Sequence, residues 1–147
     1  MRRIPWVTLL ALAACPGPKS ELGRTVREYD DALVRAFATS DPSRLASVAA
    51  AKEADRVRIL VDLKTNARLV LESRLESFEV TRAEATGDTG TVETRERWRY
   101  HDRPLQLGAP PAPEITALMA MRYSLVREGG RWKVASVSTM SSAPLPP

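Results

Sequence analysis

The sequence predicts an α+β domain: three N-terminal helices packed on a curved antiparallel sheet of about four strands, cone-shaped overall. Three observations predict it. Apolar residues recur every three or four positions through the first half, the helical period. They alternate every second position in the second half, the strand period. Two glycine-containing turns, Gly87-Asp88-Thr89-Gly90 and Glu128-Gly129-Gly130-Arg131, separate alternating runs, and glycine reaches the positive φ angles that tight hairpins need. With 147 residues the chain has room for one domain and one core.

The first helix is expected from Ser20 to Thr39, with Leu22, Val26, Tyr29, Leu33 and Phe37 on one face. Asp30, Asp31 and Arg35 fall off that stripe, and Arg27 can pair with Asp31 one turn on. Ser40-Asp41-Pro42 ends this helix and starts a second, with Asp41 as N-cap and Pro42 at the first helical position. The second is short and alanine-rich, with Leu45, Val48 and Ala49 inward. A third begins near Glu53 and buries Val57, Leu60 and Val61. It ends at Thr65-Asn66, with Asn in the left-handed position, or runs on to Ser73. The earlier stop is favoured, and it frees Arg68–Glu72 for a strand.

Phe78 and Val80 open the alternation. After the first turn, Val92, Thr94, Glu96, Trp98 and Tyr100 share one face, and Glu93, Arg95, Arg97 and Arg99 the other. A charged row is what an antiparallel sheet presents to water when only one side is covered. Acidic residues such as Glu79 and Glu93 can pair with the arginines across strands, which makes a phosphate-binding stripe the weaker reading. Four prolines between Arg103 and Pro113 interrupt the sheet, because proline donates no ladder hydrogen bond. Met119, Met121, Tyr123 and Leu125 then alternate with Ala120, Arg122, Ser124 and Val126. Past Gly129-Gly130, Trp132 and Val134 alternate with Lys133 and Ala135. Residues 141–147 read as a frayed, disordered tail.

The N-terminus reads as an export signal. Arg2 and Arg3 precede an apolar run, Val7–Ala14, too short to span a bilayer. Leu12-Ala13-Ala14 leads into Cys15, the only cysteine. This arrangement resembles a bacterial lipoprotein signal, which implies a signal peptide over 1–14, lipidation of Cys15 and a tether over 15–20. An ordinary secretory signal cut at Ala11-x-Ala13 is the alternative. Acyl chains on Cys15 would hold the domain at a membrane on the extracytoplasmic side, as a cell-envelope protein.

Composition narrows the partners. Apolar residues make up 44% and charged residues 27% with both signs mixed, an ordinary folded composition. Losing residues 1–14 would leave 20 basic against 18 acidic side chains, which is no argument for nucleic acid. One cysteine and one histidine cannot make a protein zinc site alone. No glycine-rich phosphate loop is present, and no cofactor is expected.

The order of elements resembles the nuclear-transport-factor-2-like (cystatin-like cone) superfamily. Thr91–Tyr100, with Glu96 inside Val-x-Thr-x-Glu-x-Trp, is similar to the strand before that superfamily's final hairpin. Tyr123–Val134, with Gly-Gly leading into Trp-Lys-Val, is similar to its ending. The resemblance covers roughly residues 21–140. It implies a cone whose interior can bind or transform a small molecule, and within the superfamily the chain looks most like anchored, non-catalytic members.

Inside such a cone the ligand-facing candidates are Tyr29, Glu96, Trp98, Tyr100 and Tyr123. Desolvation among Val92 and Trp98 would favour a protonated Glu96, the condition for a general acid or base near neutral pH. Tyr29 or Tyr123 would then donate to a developing oxyanion. The plainer role for Glu96 is a satisfied buried carboxylate, paired with an arginine such as Arg122 or bonded to a tyrosine hydroxyl. His101-Asp102 reads as a solvated turn more readily than as a dyad. The sequence therefore favours a binding or interaction module, with an envelope protein or a small apolar ligand as partner. A cone-type enzyme using Glu96 and a purely structural domain are the alternatives. A cone filled by Met119, Met121, Trp98 and Phe37 would exclude ligand.

Overall fold

The structure is a computed structural model that describes residues 17–146. The signal segment, Cys15 and the start of the tether lie outside the described residues. Helix α1 (Pro18–Thr39) is followed by a short 3-10 helix (Ser43–Ser47) and helix α2 (Ala51–Asn66). Strands β1 (Leu69–Thr86), β2 (Thr89–Pro104), β3 (Ile115–Glu128) and β4 (Arg131–Pro144) form one antiparallel meander in the order β1-β2-β3-β4.

Helix α1 starts earlier than expected, with Pro18 in its first turn and the Ser20 hydroxyl donating to the Gly17 carbonyl at 2.7 Å. It stops at Ser40, which takes the left-handed conformation (φ 56°). The expected second helix is a 3-10 turn of five residues. Asp41 does accept the Ser43 N–H at 3.0 Å. The helix cannot continue, because Val48–Ala50 pair with β4: Val134 N–H donates to the Val48 carbonyl, and Ala50 N–H to that of Val134. Among the described residues there are thus two α-helices rather than three. Helix α2 ends where the sequence favoured, but Arg68 (φ 55°), not Asn66, makes the left-handed turn into β1. Its buried stripe is Glu53, Val57 and Val61, one helical turn apart, which leaves Leu60 on the outside.

The strand faces follow the sequence. Val92, Thr94, Glu96 and Trp98 are buried on β2, and Tyr123 and Leu125 on β3. Gly129 and Gly130 both have positive φ (57° and 77°), as a two-residue hairpin turn demands. Four bulges, two in β1 and two in β4's pairing with β3, bend these long strands. One of them inserts Ala135, so the inward row of β4 switches from Trp132 and Val134 to Val137 and Thr139. Residues 141–144, expected to fray, instead pair with Ala117–Ala120. The arginine row is neutralised largely by Glu76, which holds Arg97 at 2.9 Å and Arg99 at 2.8 Å, while Glu93 takes Arg122 at 2.8 Å.

The packed core lies toward the two hairpin tips, where Leu22 and Val26 of α1 meet Ala83, Val92, Leu125, Trp132 and Val134. Gly90 packs closely there: a Cβ at this position would meet the Leu22 side chain at 3.0 Å and the Glu84 carbonyl at 3.3 Å. No helix among the described residues is long and apolar enough to cross a membrane.

Candidate functional site: an acidic floor in an apolar cavity

Away from the hairpin tips, the second half of α1 stands off the sheet. A cavity of about 350 Å³ opens there. Its walls are mostly apolar, including Leu33, Phe37, Leu71, Met119, Met121 and Val137. Phe37, Trp98, Met119 and Met121, the side chains able to plug the cone, line it and leave it open. All five ligand-facing candidates, Tyr29, Glu96, Trp98, Tyr100 and Tyr123, border this one space.

Glu96 is 1% exposed and fully engaged. Its Oε1 accepts from the Thr94 hydroxyl at 2.6 Å and the Tyr123 hydroxyl at 2.8 Å. Its Oε2 accepts from the Trp98 indole N–H at 2.6 Å. The alternation of β2 explains the cluster: Thr94, Glu96 and Trp98 lie two apart on one face, and Tyr123 comes from the neighbouring strand. Of the two expected partners, the tyrosine is the one used, and Arg122 lies on the other face with Glu93. Three hydrogen bonds thus converge on this one carboxyl group.

Asp30 is the residue that the stripe on α1 missed. It too is 1% exposed and borders the cavity. Tyr123 Oη lies 3.2 Å from Asp30 Oδ1, and Asp30 Oδ2 is buried with no hydrogen-bond partner. The signal was present in the spacing. Val26, Asp30, Leu33 and Phe37 also follow the three-or-four rule, so α1 buries a face wide enough to take in both Tyr29 and Asp30.

A phenol has one proton to donate, and the Tyr123 hydroxyl is within donating reach of both carboxyl groups, 2.8 Å from Glu96 and 3.2 Å from Asp30. Two acids facing one donor favour a proton on the more weakly bonded of them, Asp30. The electrostatics agree. Burial, and next the negative charge of Glu96, push the Asp30 carboxyl well above the ordinary carboxylate range, against the smaller opposing effects of the Tyr123 bond and Arg27. Burial likewise pushes the Tyr123 phenol far up, with Asp30 and Glu96 adding to it.

A second buried acid supports the other tyrosine. Glu53 on α2 accepts the Tyr29 hydroxyl bond and holds Arg56 through two bonds, from Nε at 2.8 Å and Nη2 at 2.6 Å. Burial and the Glu53 bond raise the Tyr29 phenol strongly. The two tyrosine rings meet edge to face at 6.2 Å. Arg56 stands half-exposed beside the cavity, its charge balanced by Glu53.

His101 and Asp102 do not act together. His101 Nε2 lies 3.1 Å from Glu72, while Asp102 binds Lys64 at 2.6 Å. Among the described residues, no group of three or more His, Cys, Asp or Glu side chains is placed to hold a metal ion.

No family model matches the chain, and no curated protein matches it. Solved structures do match in shape. The intermembrane-space region of the chloroplast protein ARC6 superposes with a TM-score of 0.75 at 15% identity, over 85% of this chain and 98% of that one. A candidate dehydratase of the NTF2-like family from Streptomyces avermitilis superposes with a TM-score of 0.54 at 14% identity, over 88% of this chain and all of that one. At such identities the likeness speaks for architecture alone. The chain has the nuclear-transport-factor-2-like cone fold.

Proposed function

We propose that the protein is a lipid-anchored module of the cell envelope that holds a small, largely apolar ligand in its cone without transforming it. The observation that carries this reading is the open, apolar-walled cavity of about 350 Å³, within the size range of small-molecule sites. A domain serving only as structure has no use for a buried carboxyl oxygen without a partner beside such a space. The anchor fits the layout. Pro18 opens α1 three residues after Cys15, so lipid on Cys15 would hold the hairpin-tip end near the bilayer. Tyr29 to Phe37 lie roughly 16–28 Å further along the helix, at about 1.5 Å per residue. The cavity is then presented away from the membrane.

Acid–base catalysis is the second reading, favoured by the hydrogen-bonded line of Asp30, Tyr123 and Glu96. In it the protonated Asp30 and Tyr123 would take the acid role. Glu96 is a poor base, because both its oxygens are engaged by three donors and releasing them would leave buried groups unsatisfied.

Binding of the neutral fluorophore N-phenyl-1-naphthylamine tests the principal reading. Blue-shifted, saturable fluorescence is expected from the wild-type domain. It should be lost in Leu33→Trp, which fills the cavity from α1 while leaving the acidic floor untouched. Equal signal from both proteins would place the dye elsewhere and refute a binding cone. The anchor is tested separately. Cys15→Ser should abolish fatty-acid labelling and release the protein from the membrane fraction, and an unlabelled, soluble wild type would refute lipidation.

A further inference from the structure

The charge and aromatic content of the cavity point to a ligand class. Five of the chain's eight aromatic residues border it: Tyr29, Phe37, Trp98, Tyr100 and Tyr123. All three tyrosines are among them. Among the described residues, the acidic floor has no cation of its own. Glu96 is held by neutral donors only. Arg56 is committed to Glu53. Arg27, half-exposed over the Phe78 ring, pairs with Asp31 at 3.6 Å. The groups facing Asp30 are therefore Glu96 and Tyr123 from the sheet, Arg27 and Asp31 from its own helix, and the Tyr29-Glu53-Arg56 set beyond. None of them supplies an uncommitted positive charge to the cavity. Aromatic walls with an uncompensated acid are the arrangement that recognises organic ammonium groups.

We propose that the cavity binds an organic cation, a protonated amine or quaternary ammonium carried on an apolar body, in exchange for the proton on Asp30. In the empty site that proton spares the floor two adjacent negative charges. A bound cation supplies the balancing charge, Asp30 ionises, and its proton passes to solvent. Total charge in the site is the same before and after. The ammonium need not touch Asp30 Oδ2, since attraction through a wall of low polarity acts over several ångströms. This deepens the binding reading above and rests on it.

Four probes with one ring and different heads separate the two ideas: phenethylammonium, its N,N,N-trimethyl analogue, 2-phenylethanol and phenylacetate. Titration calorimetry at pH 6 in two buffers of different ionisation enthalpy reads affinity and proton release together. The two cations should bind at least about tenfold more tightly than the alcohol, releasing up to one proton per site. Asp30→Asn, which keeps a neutral side chain of the same shape, should abolish proton release and most of the cation preference. Its affinity for the alcohol should fall far less than its affinity for the cations, and a cooperative thermal melt reports separately that the variant is folded. An alcohol that binds as well as the cations, or tighter binding of phenylacetate, overturns the cation proposal and leaves the binding cone standing. Failure of all four overturns both.

Discussion

Trp132→Ala is expected to destabilise the domain by about 3 kcal/mol in denaturant unfolding. Trp132 opens β4 directly after the Gly129-Gly130 turn and is 5% exposed within the core that joins α1 to the sheet. Truncating a large buried aromatic side chain costs about 3–5 kcal/mol. The lower end applies, because the indole N–H is itself buried without a partner, and deleting it removes a standing penalty of about 1–3 kcal/mol. The Arg127 guanidinium, 4.6 Å from the ring centroid, loses its aromatic face as well, a smaller term of about 0.5–1 kcal/mol. Trp132→Phe should recover much of the loss. A cost below about 1 kcal/mol for the alanine variant would mean that Trp132 contributes little to the core.

The second large effect is expected at Glu96. Because no basic side chain pairs with it, the cost of substitution comes from stranded donors rather than from an orphaned positive charge. In Glu96→Leu the hydroxyls of Thr94 and Tyr123 can rotate, and Tyr123 can turn to Asp30. The Trp98 indole N–H, fixed in its ring, cannot. One fixed buried donor left unpaired, together with the lost bonds of the two hydroxyls, puts the loss at about 2–4 kcal/mol. Glu96→Gln should cost less, about 1 kcal/mol, because its carbonyl can accept from Trp98 while its amide donates to the two hydroxyl oxygens. Thermal and denaturant melts at neutral pH check the order wild type, Gln, Leu. A leucine variant as stable as wild type would make Glu96 a strained carboxylate kept for function.

Much of this architecture is legible in the residues because each local rule is obeyed where packing is plain. The β2 alternation places Thr94, Glu96 and Trp98 inward without any tertiary knowledge, and the two glycines fix the final hairpin. The misreadings share a cause: a partner distant in sequence overrules a local pattern. Pairing with Val134 stops the middle helix, and pairing with β3 orders Ser141–Pro144, a segment whose composition suggests fraying. Asp30 failed to register because a charge beside an apolar stripe is ordinarily solvated. Here Tyr123, 93 residues away, holds it under the helix. The cavity itself has no sequence signature, since it depends on how far α1 stands off a bent sheet.

Protonation of Asp30 in the empty cavity can be read from the titration of its carboxyl carbon, followed by ¹³C NMR in the ligand-free protein. The folded-state pKa is raised relative to the ordinary aspartate value of 3.8. The proton on Asp30 therefore favours the folded state fully below that value, and this contribution is lost as pH rises through the folded pKa. The carboxyl resonance is expected to remain in its protonated form well above pH 3.8, with stability relative to Asp30→Asn declining as it titrates. A carboxyl carbon that titrates at or below 3.8 would contradict this.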